Sequence, residues 1–302
     1  MENFTLQEHI RLMQNLDYQE KFLNTPLIDL KDGYLNANAI NVDLDAPIYR
    51  IFSYEKLIMT LKSKSLCLVK PELWDDPFEN FLLKSNGLYN GANVSFEPLR
   101  EKLYGQCWSL KEECDGLWRN YTNNSCKNCT CCDWFKRHGK QCISVKVKTT
   151  VRKLFGALYD INNPFHCVNY FIGRVNYISD KEIVNYLKTA FDEIKDSTGV
   201  GIVNSLLIKR TPFKYEEEVR LIFNKPNDND ANFSSVMNKW DSSNKFFIKI
   251  NPTDLFDEME TDPWIEDDIF SKISEEIKAN NYAGAINRSG LYNEPFFSVK
   301  IK

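Results

Sequence analysis

The sequence predicts an α+β fold, and two observations carry that expectation. Short runs with period-two alternation recur along the chain, interleaved with stretches of helical period, but without the regular strand–helix–strand beat of a doubly wound sheet. No G-x-G-x-x-G and no G-x-x-x-x-G-K-[ST] accompanies them, so neither a doubly wound dinucleotide fold nor a P-loop enzyme is supported.

Residues 5–24 read as an amphipathic helix, with Leu6, Ile10, Met13, Leu16 and Tyr18 near one stripe. Residues 25–46 read as loop, carrying Pro26, Gly33 and several Asn and Asp. Together 1–46 form an N-terminal helical extension, either a cap on the body or an arm for a partner. The body, 47–302, opens on a short apolar strand at 48–52. Ser53 offers a helix N-cap with Glu55 in the first turn, and Leu57, Ile58 and Leu61 give that helix an apolar face ending near Lys64. A strand at 65–69 leads into a proline-bounded loop of acids and aromatics, 71–79. Further strands are expected at 105–110, 142–147, 168–178 and 246–250. Residues 115–121 read as helix or turn, 180–196 as helix and 225–243 as polar loop.

The run 214–224 is the most informative. Val219, Leu221 and Phe223 alternate with Glu216, Glu218 and Arg220, which predicts a half-buried strand with both glutamates and the arginine on one face. Two carboxylates that close repel each other, so one pKa tends to rise unless a cation or a hydroxylated ligand relieves them. Such a pair suits gripping a ribose and activating an acceptor hydroxyl.

Bulk properties narrow the classes. A chain of 302 residues with 13% aromatic and 26% charged residues has the composition of a globular protein able to bury a full core. Its net charge of −4 argues against indiscriminate coating of nucleic acid. No apolar run approaches the ~20 residues of a membrane span, so no membrane partner is expected. The start Met1–Glu2–Asn3–Phe4–Thr5 lacks a signal peptide's basic and apolar regions. A cytoplasmic location with reduced thiols is the expectation.

An insertion at about 122–142 stands out. Cys126, Cys129, Cys131 and Cys132 crowd together, with His138 and Cys142 beyond. Cys126-x-x-Cys129 is a turn suited to a tetrahedral metal, closed by Cys131 or Cys132 with His138 or Cys142. Cys126, Cys129, Cys132 and Cys142 are the ligand set for a structural zinc. Reduced surface thiols are the other reading, and a disulfide a third, disfavoured by the compartment. From Cys126 to Lys153 eight lysines and arginines oppose the single Asp133, whereas 254–278 carry ten acids against two lysines. These are either solvated faces or, for the basic stretch, a contact for nucleic acid or an acidic protein.

His9, His138 and His166 are the only histidines and none has zincin spacing; no serine-hydrolase elbow occurs. Catalysis would therefore fall to carboxylates, arginine, hydroxyls and rings. Arg50, on the apolar strand beside Tyr49, needs a partner because burying it alone is costly. That partner is an internal acid such as Glu79 or a strand glutamate, or else the phosphate or ribose of a dinucleotide. Trp74, Phe78 and Trp108 are core rings unless exposed to stack on a flat heterocycle. Asp75, Asp76 and Glu79 with the strand glutamates would hold a hard metal in a metal-dependent nuclease; a turn cap before Pro77 is the plainer role for Asp75 or Asp76.

Read together, these pieces resemble a bacterial family of unknown function over roughly 48–290. The marks are Tyr49-Arg50 before a helix, Asp75-Asp76-Pro77-Phe78-Glu79, Cys107-Trp108-Ser109, Trp118-x-x-Tyr121 and Glu216-x-Glu218-x-Arg220. The cysteine-rich insertion departs from that pattern. The family in turn is similar to distant members of the ADP-ribosyltransferase fold, which implies mixed and antiparallel sheets with flanking helices and NAD as substrate. In one branch an arginine, a serine and a glutamate follow in order; here they are Arg50, Ser109 and Glu218. The resemblance implies that Arg50 orients the NAD phosphates or ribose, that Ser109 supports the nicotinamide ribose and that Glu218 stabilises the oxocarbenium-like transition state. Glu216 would position or deprotonate the acceptor. Tyr49, Trp74, Phe78 and Arg220 would join the NAD-binding residues. A toxin or phage-defence effector acting on a macromolecule is the implied role, with a non-catalytic nucleotide-sensing module as the alternative.

Overall fold

The computed structural model describes residues 31–76, 78–89, 91–124, 143–159, 169–194, 199–225 and 244–296. The expected N-terminal helix, the cysteine cluster and its zinc ligands, His166 and the 226–243 loop lie outside these residues. In chain order the strands are β1 (Ala39–Ile40), β2 (Pro47–Ser53), β3 (Ser65–Val69), β4 (Asn86–Tyr89), β5 (Ala92–Ser95), β6 (Leu103–Ser109) and β7 (Ser144–Thr150). They continue with β8 (Tyr170–Arg174), β9 (Asn176–Ile178), β10 (Ile208–Arg210), β11 (Glu218–Asn224), β12 (Lys245–Lys249), β13 (Glu258–Thr261) and β14 (Ala285–Arg288). Parallel and antiparallel pairs both occur, and the architecture is α+β. No helix among the described residues is long and apolar enough to cross a membrane.

The chain divides into two compact units. The first takes residues 1–48, 65–110 and 150–250. Its sheet runs β1-β8-β11-β6, with β3 joined to β6 at Val69–Gly105 and β12 paired to β3. β11 lies between β6 and β8, antiparallel to both. That placement corrects the half-buried expectation, because Glu218 through Phe223 are all buried. The alternation still sorts the two faces. Phe223 stacks on Tyr170 at 4.6 Å and meets Phe246 at 4.3 Å on one face. Ile222, on the other, joins Leu103, Phe171, Leu206 and Leu207 in a core that the helices Asp180–Ile194 and Val200–Leu206 cover. Glu218 and Arg220 share the Ile222 face by the same period. β9 and β10 form a separate parallel pair.

Lys31–Asn38 is helical, where Gly33 and the asparagines read as loop. Burial of Tyr34, Leu35 and Asn38, with Asn38 donating to the Tyr170 carbonyl at 2.7 Å, overrides the weak local propensity.

The second unit takes residues 49–64, 111–149 and 251–302. Its strands order as β2-β7-β13-β14, and β13 pairs β7 with Glu260 opposite Lys146 and Glu258 opposite Lys148. The helix Tyr54–Ser63 ends at Lys64 in the left-handed region, φ 49°. The helix Asp267–Ala279 buries Ile269, Ile273 and Ile277, one face at four-residue spacing.

Candidate active site

The junction before β11 builds the site. The expected single strand 214–224 is instead a 3-10 helix, Thr211–Glu216, then Glu217 at φ 40°, ψ 56°, then the strand from Glu218. Pro212 sits in the first turn of the 3-10 helix, where a missing N–H costs nothing. A left-handed glutamate is strained, and its neighbours hold it there. Leu110 N–H donates to the Glu217 carbonyl at 2.9 Å. The Ser109 hydroxyl donates to the Glu216 carbonyl at 2.6 Å. Ser109 thus stands opposite Glu218 in register and pins the turn from the adjacent strand.

This turn aims both glutamates at one ammonium, that of Lys209 on β10. Its Nζ lies 2.6 Å from Glu216 Oε2, 2.5 Å from Glu218 Oε1 and 3.1 Å from Glu79 Oε1. Arg220 closes the network from beneath. Its Nε donates to Glu218 Oε2 at 2.8 Å, one terminal nitrogen to Glu79 Oε1 at 2.6 Å and the other to the Leu206 carbonyl at 2.6 Å. All five groups are buried; Arg220 is 0%, Glu218 4% and Glu216 8% exposed. Three carboxylates against two cations leave one negative charge in excess when every group is ionised.

The excess falls on Glu216. Burial, then the hydrogen bond and charge of Glu218, push its carboxyl up to about 8 against the partial relief of Lys209. Burial would also raise Glu218, but Arg220, the Glu216 hydrogen bond and Lys209 outweigh it and hold Glu218 far below the ordinary carboxylate range. Burial pulls Lys209 down, yet Glu218, Glu79 and Glu216 together raise it and keep it charged. The result is a protonated glutamic acid beside an ionised glutamate near neutral pH. Two carboxyls whose pKa values are pushed apart can divide acid and base work between them.

Around the ions stands a ring of aromatics. Tyr177, on β9, accepts the Glu218 backbone N–H at 2.9 Å; burial and the Glu218 charge raise its phenol. Trp74 lies over the Arg220 guanidinium at 4.4 Å. Gly105 makes room for it, since a Cβ there would fall 2.8 Å from the indole. Phe213 lies under Lys209 at 4.7 Å, and Phe78, 46% exposed, covers Arg210 at 4.1 Å. Asp76 fixes Arg210 through contacts at 2.7 and 3.2 Å and caps the turn by accepting Phe78 N–H at 3.0 Å. Trp108 is core, its indole N–H donating to Gln106 at 2.9 Å.

Of the residues singled out from sequence, Glu216, Glu218, Ser109, Arg220, Trp74 and Phe78 belong to the first unit. Arg220 is spent on protein acceptors, so its part is to hold Glu218. Glu79 pairs with Arg220 and Lys209, and Asp76 with Arg210, so these two of the acids considered for a nuclease metal are engaged by cations, while Asp75 is exposed. Among the described residues no group of three or more His, Cys, Asp and Glu suits a metal ion. Arg50 and Tyr49 belong to the second unit. Arg50 is half-buried with its guanidinium 5.3 Å from the Phe52 ring, and Tyr49 is buried beneath Lys146 and Lys148 at 5.7 and 5.9 Å. Lys209 and Tyr177 escaped the sequence reading: an ordinary lysine in a three-residue strand carries no signal. Its only hint is that a buried glutamate pair requires a nearby cation.

No protein-family model matches the chain, and no curated protein matches it. Among solved structures, the complex of Thermus sp. 2.9 DarT with NAD+ aligns at 9% identity over 82% of this chain and 98% of that one, with a TM-score of 0.36. The complex of the same protein with ADP-ribosylated ssDNA aligns at 8% identity over 82% and 96%, also at 0.36. Likeness at this level assigns no residue of this chain a role.

Proposed function

We propose that this chain is an NAD-dependent ADP-ribosyltransferase-like enzyme whose reacting carboxyls are Glu218 and Glu216. The observation that carries the reading is the pair itself, an ionised Glu218 and a protonatable Glu216 held on one ammonium at a pinned turn. Cleaving the nicotinamide–ribose bond sends the electron pair to the ring, which leaves neutral, and builds positive charge on the anomeric carbon. A carboxylate already fixed and ionised stabilises that charge without reorganising. Glu218 meets the requirement because Arg220 and Lys209 hold it in place. The acceptor's oxygen or nitrogen then bonds to the anomeric carbon, and its proton passes to the Glu216 carboxylate.

Ser109 serves by fixing the Glu216 carbonyl, and Trp74 and Phe78 offer flat apolar surface to the heterocycles of NAD. The part of Arg50, with Tyr49, in orienting the NAD phosphates or ribose rests on the resemblance of the sequence alone. So does an acceptor that is a nucleic acid or an acidic protein met through the basic cysteine-rich stretch, as a toxin or phage-defence effector would need. A structural zinc at Cys126, Cys129, Cys132 and Cys142 is proposed on spacing alone.

The test is nicotinamide release from labelled NAD+, with transfer of the ADP-ribosyl label to nucleic acid or protein in a cell extract. Glu218→Gln should lower release by about 100-fold or more. Equal rates in that variant, or no binding of NAD+ at all, would overturn the reading. A second reading, a nucleotide-binding module without turnover, is favoured by Lys209, which already bonds both carboxyls. NAD+ raising the melting temperature with no nicotinamide released would select it.

A further inference from the structure

We propose that the buried ion cluster takes up the positive charge of its ligand in exchange for a proton, so that binding a cationic ring ionises Glu216 and arms it as the base. The inference rests on the NAD-dependent reading above and adds to it the trigger for Glu216.

Glu79, Glu216 and Glu218 face Lys209 and Arg220 with one negative charge too many, and every member is buried. An uncompensated buried charge is costly, so the cluster must hold a proton or a further cation. The proton belongs on Glu216 for a geometric reason. Glu218 is engaged on both oxygens, by Lys209 at 2.5 Å and Arg220 at 2.8 Å, and Glu79 Oε1 takes both Arg220 and Lys209. Lys209 is the cation that reaches Glu216, at Oε2. Of the other groups near the cluster, Tyr177 from β9 is a neutral phenol, Cys107 from β6 stands opposite Arg220, and Arg210 is paired with Asp76 and has a lesser pull on Glu79.

A ligand that brings a positive charge beside Glu218 and Glu216 supplies the missing compensation. NAD+ carries it on the pyridinium ring, at the bond to be broken. On binding, the Glu216 carboxyl releases its proton to solvent and becomes the carboxylate that can accept one from the acceptor. Once nicotinamide leaves neutral and the acceptor proton arrives, Glu216 is again the acid and the cluster returns to its starting charge. The cycle balances: one proton leaves on binding and one is gained on transfer. The titration range of Glu216, up near 8, puts the exchange at neutral pH, where about nine-tenths of the molecules hold the proton at pH 7.

Calorimetric titration of the full chain with NAD+ at pH 7, in buffers of different ionisation enthalpy, tests this. About one proton should be released per NAD+ bound, falling toward none at pH 9.5, and affinity should rise about tenfold per pH unit below pH 8. The dihydronicotinamide form, with its neutral ring, should release none. Glu216→Gln should bind NAD+ with no release; should that variant misfold, the wild-type pH series and the neutral-ring comparison decide alone. NAD+ binding without proton release, or equal release with the neutral ring, overturns the exchange and leaves the enzymatic reading standing. No binding of NAD+ at any pH overturns both.

Discussion

Replacing Glu216 by glutamine should change stability in a pH-dependent way that follows from the cluster. A free glutamate ionises near 4.5, whereas Glu216 in the folded chain holds its proton up to about 8. Between those values the folded state binds more protons than the unfolded chain, so this group makes stability fall as pH rises through the window. Each unit of displacement corresponds to about 1.4 kcal/mol. The full displacement, reduced for the coupling to Glu218, amounts to roughly 3 to 5 kcal/mol. Glutamine keeps the donor that a protonated Glu216 offers Glu218 and never ionises. Glu216→Gln should therefore lie within about 1 kcal/mol of the wild type at pH 5 and exceed it by roughly 3 to 5 kcal/mol at pH 9, a gain of about 6 to 20 °C in melting temperature. Urea unfolding at half-unit pH steps reads the difference directly. A constant offset across pH 5 to 9 would refute the reasoning, because it would mean that Glu216 ionises alike in both states.

Two further substitutions probe the frame around the pair. Arg220→Met leaves Glu218 and Glu79 with Lys209 alone in a buried setting and should cost about 3 to 5 kcal/mol at neutral pH. Glu218, held low in the folded chain, contributes stability above about 4.5, so the loss should shrink below that pH as the carboxyl protonates; a neutral-pH loss under about 1 kcal/mol would contradict the role given to Arg220. Gly105→Ala puts a methyl 2.8 Å from the Trp74 ring and 3.2 Å from the Leu221 carbonyl. It should cost about 1 to 3 kcal/mol and shift tryptophan fluorescence as the indole leaves Arg220; unchanged stability and emission would remove Gly105 from the account.

Much of the frame was legible from pattern. Period-two alternation marked β7, β8 and β11, short strand-like runs marked β3, β6 and β12, and a Ser-Glu start with apolar spacing located the helix Tyr54–Ser63, because these signals are local. The glutamate pair was legible too, as was the cap at Asp76. What could not be read is what depends on meeting partners. Nothing between Lys214 and Glu218 announces that Glu217 turns left-handed, since Ser109 and Leu110 on another strand hold the turn. The burial of Arg220 follows from β11 being flanked on both sides, which alternation alone cannot tell from a half-exposed strand. Lys209 was invisible because its meaning is three carboxylates, one of them from a loop 130 residues earlier.

Carbon-13 NMR of side-chain carboxyls in the glutamate-labelled chain, assigned with Glu216→Gln and Glu218→Gln, follows each proton across pH 4 to 9.5. The Glu216 signal should titrate near pH 8, with the Glu218 signal flat over the same range. Both carboxyls titrating between pH 4 and 5 would contradict the division of labour on which the catalytic proposal stands.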